Sequence, residues 1–186
     1  MNNTDKKHVA ILATDGFEEI ELTSPKKAME DAGIEVHIVS DKKPTIKAWK
    51  DGNWSNEHDV DRTIDEVKEG DYNALMIPGG VINPDKMRRN EKAVEFVRSF
   101  FRSHKPVASI CHGPWVLAEA GVLDGRRITS FNAIKTDMKN AGAKWVDEEV
   151  VVDEGLVTSR SPEDLNAFNA KLVEEVYEGK HEEQTV

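Results

Sequence analysis

Residues 107–120 read VASICHGPWVLAEA and contain the most informative pattern in the chain. The first four residues form a short apolar run without polar alternation, which is typical of a strand covered on both faces in a parallel sheet. Cys111 follows, flanked two positions away by the small residues Ser109 and Gly113, and this spacing permits a sharp turn. The next seven residues suit a helix, so the stretch predicts a strand, a nucleophile elbow and a helix in direct succession.

Similar apolar runs recur along the chain, separated by segments in which apolar residues follow a helical period. Strands that alternate with helices predict a doubly wound α/β domain with a mostly parallel central sheet and helices on both faces. Asn90 and Ser161 stand where helices would begin, and Gly33 and Gly121 stand where helices would end. The predicted strands cover residues 9–13, 36–39, 74–77, 107–110, 150–152 and 156–158.

The organisation of the 186-residue chain predicts a single domain over residues 8–178, which is long enough to bury a substantial core. Residues 1–7 and the acidic residues 179–186 are expected to be flexible. Residues 45–58 contain two tryptophans without helical or alternating periodicity, so a strand pair and an ordered loop both fit this segment.

The composition argues against several classes of partner. Lys and Arg number 25 and Asp and Glu number 35, which gives a net charge of −10. Such a charge argues against a nucleic-acid ligand and against an anionic membrane surface, and no apolar run approaches the roughly 18 residues of a membrane-spanning helix. Cys111 is the only cysteine, so it forms no internal disulfide, and no histidine spacing suggests a metal site. We therefore expect a cytoplasmic protein without a metal or another cofactor.

Chemically capable residues follow three of the predicted strands. The first strand is followed by residues 14–21, TDGFEEIE, the third by residues 78–80, PGG, and the fourth by Cys111 and His112. Ligands of open parallel sheets bind beyond the carboxyl ends of the strands, where these segments should meet. The sequence therefore predicts a site that combines carboxylates, a Gly-Gly turn and a thiol–imidazole pair.

Cys111 is the candidate nucleophile. The helix after the elbow directs its N-terminus at the thiol, which predicts a pKa below the free value of about 8.5. The alternative is a small buried hydrophobic residue, the commonest role of a lone cysteine. His112 is the candidate general base, although a contact between adjacent side chains requires an irregular backbone at the elbow. A hydrogen-bonded structural histidine is the alternative for His112.

The acidic residues after the first strand are candidates for proton transfer. Helical spacing places Glu18 and Glu21 on one face and Glu19 on another, so we expect Glu19 to face solvent. A carboxyl group beside Cys111 would be desolvated, would have a raised pKa, and could move a proton to or from the sulfur. One or two of the three acids can instead serve only as helix caps or as solvated surface charges.

Backbone N–H groups are the candidate oxyanion donors. Gly79 and Gly80 have no side chains that would shield their N–H groups, and the N–H of His112 lies at the elbow. The alternative is an ordinary tight turn, because a Gly-Gly pair alone is a weak signal.

Three segments of the predicted site carry a family resemblance: IPGG at 77–80, DGFEEIE at 15–21 and ASICHGP at 108–114. Together they resemble the ThiJ/PfpI superfamily, most closely its PfpI branch of intracellular cysteine peptidases and stress proteins, and the similarity extends over about residues 8–176. The resemblance implies a flavodoxin-like three-layer sandwich related to class I glutamine amidotransferase domains. It also implies a nucleophilic Cys111 whose sulfur is contacted by Glu21, with Glu18 close by.

The resemblance to the PfpI branch also implies a homo-oligomer, because that branch orients its histidine with a carboxylate from a neighbouring subunit. The carboxylate lies in the segment after Pro-Gly-Gly, here residues 81–86, VINPDK, so Asp85 is the candidate. This segment is one residue longer than in the branch, and Asp85 stands where Glu is frequent. Phe131 stands where relatives often carry Tyr or His, so this chain has no proton-transfer group at that position.

The resemblance leads to one principal function and two alternatives. The principal function is an intracellular cysteine hydrolase, nominally a peptidase, in which Cys111 attacks a carbonyl group of a peptide and His112 acts as base and then as acid. Asp85 of another chain would orient the ring. The first alternative is a glyoxalase or protein deglycase that acts on a small carbonyl compound such as methylglyoxal or on glycated proteins, with Glu18 or Glu21 moving the proton. The second alternative is a non-enzymatic stress protein whose Cys111 is oxidised.

Overall fold

The computed structural model describes residues 6–184 and residue 186, and in this part of the chain eleven strands and six α-helices follow one another. The strands are β1 (His8–Leu12), β2 (Glu35–Ser40), β3 (Thr45–Lys50), β4 (Asn53–Asp59), β5 (Arg62–Thr63), β6 (Ala74–Ile77), β7 (Val107–Ile110), β8 (Arg127–Ile128), β9 (Lys144–Trp145), β10 (Val150–Asp153) and β11 (Leu156–Ser159). The α-helices are α1 (Glu19–Asp31), α2 (Ile82–Arg88), α3 (Glu91–Arg102), α4 (Pro114–Ala120), α5 (Lys135–Asn140) and α6 (Leu165–Glu178). Most of the N-terminal segment that is expected to be flexible, residues 1–5, lies outside the described residues.

Seven of the described strands form the central sheet, in the order β10-β11-β7-β6-β1-β2-β5. Neighbouring strands run parallel throughout, except for the antiparallel edge pair β10–β11. The mostly parallel sheet predicted from the sequence is therefore confirmed. Because β1, β6 and β7 lie side by side, the segments that follow these three strands meet at one edge of the sheet.

Helices cover both faces of the sheet. Along β1, Val9 and Ile11 belong to the core layer that contains α1 and α6, whereas Ala10 and Leu12 belong to the layer that contains α3 and α4. Successive strand residues point to opposite faces, so a strand buried on both sides needs a continuous apolar run. The arrangement is the flavodoxin-like three-layer sandwich expected from the sequence.

The helix boundaries follow the predicted capping residues. The Asn90 side chain accepts hydrogen bonds from the N–H groups of Lys92 and Ala93 at the start of α3. Gly121 adopts a φ of 71° directly after α4, a left-handed conformation that glycine tolerates best. Ser161 precedes a single 3₁₀ turn that leads into α6. Asn90 and Gly121 thus act as predicted at the start of α3 and the end of α4, whereas the Ser161 side chain makes no capping hydrogen bond.

Residues 45–58 form the β3–β4 hairpin, which lies outside the central sheet, so the strand-pair alternative holds for most of this segment. Trp49 and Trp54 face each other across the hairpin, edge to face, with their ring centroids 5.4 Å apart. Backbone hydrogen bonds attach the hairpin to the loop after β1: the Gly16 N–H donates to a β3 carbonyl (2.8 Å), and the Trp49 N–H donates to the Phe17 carbonyl (2.8 Å). The hairpin therefore borders the site at the strand ends.

The C-terminal segment packs against the domain. Gln184 is fully buried, and its carbonyl oxygen accepts a hydrogen bond from the His104 ring (2.8 Å). The His181 N–H donates to the His104 carbonyl (2.9 Å). The described part of residues 179–186, which the sequence suggests is flexible, is thus attached to the domain at two points. Within the described chain, none of the helices combines the length and the apolar character needed to cross a lipid bilayer.

Candidate active site

Cys111 sits on a sharp turn between β7 and α4. Its φ is 62°, a left-handed conformation that a residue other than glycine rarely adopts. The Cys111 N–H donates to the Ser159 carbonyl (3.1 Å), and the Cys111 carbonyl accepts from the Phe131 N–H (2.9 Å). The turn also requires Gly113, because a Cβ there would lie 2.9 Å from carbonyl oxygens of both β6 and β7. The geometry is that of the nucleophile elbow predicted from the sequence.

The elbow brings His112 into contact with the sulfur. Nδ1 of His112 lies 3.2 Å from Sγ of Cys111, and the irregular backbone of the elbow is what permits this contact between adjacent side chains. The ring stacks on Phe131, with centroids 4.7 Å apart, and meets Trp115 edge to face. Burial lowers the pKa of His112. The imidazole is therefore neutral at pH 7 and can accept a proton from the thiol.

Glu21 lies in the first turn of α1, is fully buried, and lies with Cys111 against Gly79, where its Oε1 has no hydrogen-bond partner among the described residues. Its Oε2 accepts a hydrogen bond from the Gly79 N–H (2.8 Å). Burial is the largest influence on this group and raises the pKa of Glu21 from 4.5 to about 8. The carboxyl group is therefore mostly protonated at neutral pH, and it can donate a proton next to the sulfur.

The titrations of Cys111 and Glu21 are linked. Burial raises the pKa of the Cys111 thiol and negative charge on Glu21 raises it further, whereas the N–H groups of His112 and Gly80 lower it. The expectation of a lowered pKa is wrong, because the N–H donors at the helix start do not outweigh burial. Because negative charge on Glu21 raises the pKa of Cys111, the thiolate is favoured only while Glu21 holds its proton.

The Pro-Gly-Gly turn offers one candidate oxyanion donor rather than two. The N–H of Gly79 is occupied by Glu21, whereas the N–H of Gly80 lowers the pKa of both Glu21 and Cys111, and the N–H of His112 lowers the pKa of Cys111. Side chains cannot be accommodated in the turn: a Cβ at Gly79 would lie 2.5 Å from the Glu21 carboxyl, and a Cβ at Gly80 would lie 2.5 Å from the Gly16 carbonyl. The N–H groups of Gly80 and His112 form the candidate pair.

Glu19 is buried, so the expectation that it faces solvent is wrong; its residue exposure is 8%. The carboxylate accepts hydrogen bonds from Ser55 (2.9 Å) and Asn56 (3.0 Å) and lies 2.8 Å from the His58 ring. Glu18 precedes α1 and is half-buried. Helical spacing does not apply to Glu18, because this residue lies outside the helix. Glu19 is buried because the β3–β4 hairpin covers the side on which it projects.

Glu18 borders a recess beside the elbow. The recess has a volume of about 270 Å³ and is lined by Gly16, Glu18, Trp49, Gly80, Val81 and Ile82. Burial, followed by the nearby charges of Asp51 and Glu19, raises the pKa of Glu18. Gly80 lines the recess and the adjacent Gly79 packs against Cys111, so the recess and the thiol adjoin the same turn.

Replacing Glu19 by Gln is expected to destabilise the fold by about 1–3 kcal/mol, because hydrogen bonds to a buried charged group are weakened. Burial opposes ionisation of Glu19, but hydrogen bonds from His58, Asn56 and Ser55 outweigh it and lower its pKa. The stabilisation is therefore present at neutral pH and is lost as the pH falls through that lowered pKa.

Urea denaturation at pH 7 measures the effect of the Glu19 substitution. Glu18→Gln on the neighbouring half-buried residue is the matched control and should change stability by less than about 0.5 kcal/mol. Equal destabilisation by the two substitutions would contradict the inference that the hydrogen bonds between Glu19 and the β3–β4 hairpin stabilise the fold.

Asp85 lies apart from the thiol–imidazole pair of its own chain. It is in the first turn of α2, its side chain is 60% exposed, and its carboxylate lies 3.6 Å from the Arg89 guanidinium. Within the part of the chain that the structure describes, no carboxylate is hydrogen-bonded to the His112 ring. Asp85 therefore does not orient the His112 ring of its own chain in this structure.

One cluster away from the elbow could hold a metal ion. Glu175, Glu178 and His181 place possible ligand atoms within 4.8 Å of one another. No spacing in the sequence indicates this group, because His181 follows the end of α6 and is brought back to that helix only by the packing of the C-terminal segment. The 2.7 Å ion pair between Glu175 and His181 accounts for the approach of these two side chains without an ion.

Fold and site together place the chain among flavodoxin-like α/β proteins that carry a thiol on a turn at a strand end. Within that class the chain belongs to the DJ-1/PfpI family, since the model of this family matches residues 7–175. The family resemblance noted in the sequence is thus confirmed.

Curated relatives of the chain have names that point to three kinds of function. General stress protein 18 of Bacillus subtilis (strain 168) is 44% identical, over 88% of this chain and 94% of its own length. "Putative cysteine protease YraA" of the same organism is also 44% identical, with the same coverage. Deglycase PfpI of Pyrococcus furiosus is 45% identical, over 89% of this chain and 96% of its own length.

A similar solved structure comes from Anabaena variabilis, a two-domain protein with a DJ-1/ThiJ/PfpI-like and a ferritin-like domain. It is 39% identical to this chain, with a TM-score of 0.86. The match covers 91% of this chain and 48% of that protein, so the chain corresponds to about half of it.

Sequence reasoning missed one residue that contacts the Pro-Gly-Gly turn. Asn83 is fully buried, and its side chain donates hydrogen bonds to carbonyl groups of this turn. The one signal that could have drawn attention to it was the additional residue in the segment after Pro-Gly-Gly. The burial of such an amide side chain cannot be predicted from sequence periodicity, because its hydrogen-bond partners are backbone groups of other segments.

Proposed function

We propose that the protein is a thiol-dependent hydrolase of the deglycase or glyoxalase type, which acts on small α-oxoaldehydes or on their adducts with proteins. The observation that carries this proposal is the fully buried Glu21 carboxyl group, which lies with Cys111 against Gly79 and whose pKa burial raises to about 8, so that it is mostly protonated at neutral pH. A protonated carboxyl group beside a nucleophilic sulfur supplies the proton that a carbonyl oxygen gains when the sulfur adds to it. The name of Deglycase PfpI supports the same reading.

The recess beside the elbow supports a small substrate. Its volume of about 270 Å³ lies just below the range typical of drug-sized ligands. A three-carbon oxoaldehyde, or the modified end of a single side chain, is of suitable size. Glu18 and Trp49 would then lie beside the bound carbonyl compound.

In the proposed reaction, His112 takes the thiol proton, the Cys111 sulfur forms a bond to the aldehyde carbon, and the π electrons of the C=O bond move to oxygen. The N–H groups of Gly80 and His112 stabilise the charge that develops on this oxygen, and the proton of Glu21 neutralises it. The Glu21 carboxylate then takes the proton on the former aldehyde carbon while protonated His112 gives its proton to the neighbouring carbonyl oxygen, which forms an enediol. Glu21 delivers its proton to the neighbouring carbon and takes the proton of the first hydroxyl group, which leaves a thioester. Water hydrolyses the thioester to a hydroxycarboxylic acid and regenerates the thiol, so no oxidant or reductant is needed.

A cysteine peptidase is the second candidate, and the 3.2 Å contact between His112 and Cys111 favours it. In this mechanism His112 takes the thiol proton and later protonates the leaving amine. The ring needs a partner that fixes its tautomer, and we assign this role to Asp85 of a second copy. Peptidase activity would therefore require a homo-oligomer.

We also propose that the protein acts in the cytoplasm, where a single thiol stays reduced, and that it contributes to a stress response. The name of General stress protein 18 supports the stress role. A non-enzymatic protein whose Cys111 is oxidised under stress remains the alternative to both enzymatic candidates.

The proposal is tested with the purified full chain on three substrates at neutral pH. They are methylglyoxal, N-acetyl-arginine preincubated with methylglyoxal, and a fluorogenic peptide. We expect lactate release from the first two and slower hydrolysis of the peptide. The reverse ranking would favour the peptidase, and absence of turnover on all three would contradict both enzymatic candidates.

Asp85→Ala is expected to reduce peptide hydrolysis at least about tenfold, because His112 would lose the group that holds its tautomer. Asp65→Ala is the matched control, since Asp65 is another exposed aspartate that pairs with a cation, Lys92. Sedimentation velocity on the same samples reports the oligomeric state. A monomer with full peptidase activity, or an Asp85→Ala variant with normal turnover, would remove Asp85 from the mechanism.

A further inference from the structure

Asn83 links the ends of two neighbouring strands. Its side chain is fully buried. Its Oδ1 accepts a hydrogen bond from the N–H of Thr14, just after β1 (2.8 Å), and its Nδ2 donates to the carbonyl oxygens of Pro78 (3.0 Å) and Gly79 (3.3 Å), just after β6. An amide side chain offers one acceptor atom and two N–H donors at a single position, and these contacts use all three functions.

The two carbonyl groups that Asn83 binds belong to two consecutive peptide groups. The Pro78 carbonyl shares its peptide plane with the Gly79 N–H, and the Gly79 carbonyl shares its plane with the Gly80 N–H. In a trans peptide the C=O and N–H bonds point in opposite directions. The side chain of Asn83 therefore binds one end of each plane, and the N–H at the other end points away from it.

The opposite ends of these planes face the reactive groups. The Gly79 N–H donates to Glu21 (2.8 Å), and the Gly80 N–H lies close enough to Glu21 and Cys111 to lower the pKa of both groups. Glycine resists rotation of a peptide plane less than any other residue, and Gly80 already has a φ of 77°. The Gly79 carbonyl also accepts the Glu18 N–H (3.4 Å), so loss of the two shorter bonds from Asn83 would weaken the hold on the glycine pair and make rotation of either N–H away from its acceptor easier.

We propose that Asn83 is a positioning residue that fixes the two peptide planes on either side of Gly79 and thereby sets the reactivity of Cys111. Its side chain is hydrogen-bonded to neither Cys111 nor Glu21, so its effect passes through the turn. The inference rests on the proposed function only in taking Cys111 as the reactive group.

Asn83→Asp tests the proposal, because it keeps an acceptor for Thr14 and replaces the two donors by an oxygen. The rate of iodoacetamide alkylation of Cys111 is measured against pH on the folded full chain. We expect the midpoint to rise by about one pH unit, because the thiolate loses an aligned N–H donor. With methylglyoxal, kcat should fall about 10- to 100-fold while KM changes less than about threefold. Asn83→Ala should show the same two effects.

Asn73→Asp is the matched control. The Asn73 side chain accepts a hydrogen bond from the His8 N–H (2.8 Å), so it links β1 and β6 at their opposite ends. This variant should have the wild-type alkylation profile. A folded Asn83 variant with a wild-type profile would overturn the proposal. Failure of both Asn83 variants to fold would also overturn it, since Asn83 would then serve the fold as a whole. An altered alkylation profile in a protein that turns over no substrate would contradict the proposed function alone.

Discussion

Cys111→Ser is expected to reduce turnover of methylglyoxal, and of any peptide substrate, at least about 10³-fold. A serine hydroxyl ionises far less readily than a thiol, and a neutral His112 is a weak base for it. The substitution exchanges a single atom in a buried position, so the fold should not change. Initial rates of lactate release and of peptide cleavage measure the loss.

Ser109→Ala provides the control for the serine variant. Ser109 is a fully buried residue in the strand that leads into the elbow, and its replacement removes one oxygen without touching the thiol. This variant should keep most of the activity, and both variants should unfold within a few degrees of the wild type. A serine variant with more than about a tenth of wild-type turnover would exclude Cys111 as the nucleophile.

Glu21→Gln is expected to lower kcat for methylglyoxal by about 10²- to 10⁴-fold, the usual contribution of a positioned acid or base. The amide can still accept the hydrogen bond from Gly79 and donate one to the sulfur, so alkylation of Cys111 at neutral pH should persist. The variant should therefore still form the Cys111 thiolate, but it should no longer deliver a proton to the substrate oxygen. Glu18→Gln should have a smaller effect, since Glu18 lies outside the helix that carries Glu21.

The same variant tests the protonation state of Glu21. Its folded pKa of about 8 exceeds its ordinary value of 4.5, so between these values the folded protein holds a proton that the unfolded chain has released. This group therefore makes the protein less stable as the pH rises from about 4.5 to about 8, at most by about 1.4 kcal/mol per pH unit. Denaturation of wild type and Glu21→Gln across this range should show a steeper fall for the wild type. Parallel curves would show that Glu21 is ionised in the folded protein.

Much of the fold could be predicted from the sequence, because its strands and helices follow two short-range patterns. A strand buried on both faces needs an unbroken apolar run, and helices begin and end at residues such as Asn90 and Gly121 that satisfy their free backbone groups. The secondary structure of residues 45–58 could not be decided from the sequence, for a physical reason. That hairpin is exposed along one strand and is held by backbone bonds to a distant loop, so its own residues carry little hydrophobic pattern.

The candidate site was predictable to the extent that it follows strand ends. Cys111, His112 and Glu21 lie together because the carboxyl ends of neighbouring parallel strands meet. The burial of Glu19 was not predictable, because it depends on a hairpin more than 30 residues further along the chain. The raised pKa of Cys111 was missed for a similar reason, since a sequence shows the helix start after the elbow but not how completely the thiol is enclosed.

The left-handed backbone at Cys111 has a consequence for how this position would evolve. Glycine or asparagine adopts such a conformation with less penalty than cysteine, by roughly 1 kcal/mol. A library of variants screened for folding alone would therefore be expected to lose the cysteine, whereas a screen for turnover would retain it. Fold stability and turnover therefore favour different residues at position 111, and the residue found there after selection should show which of the two properties was selected.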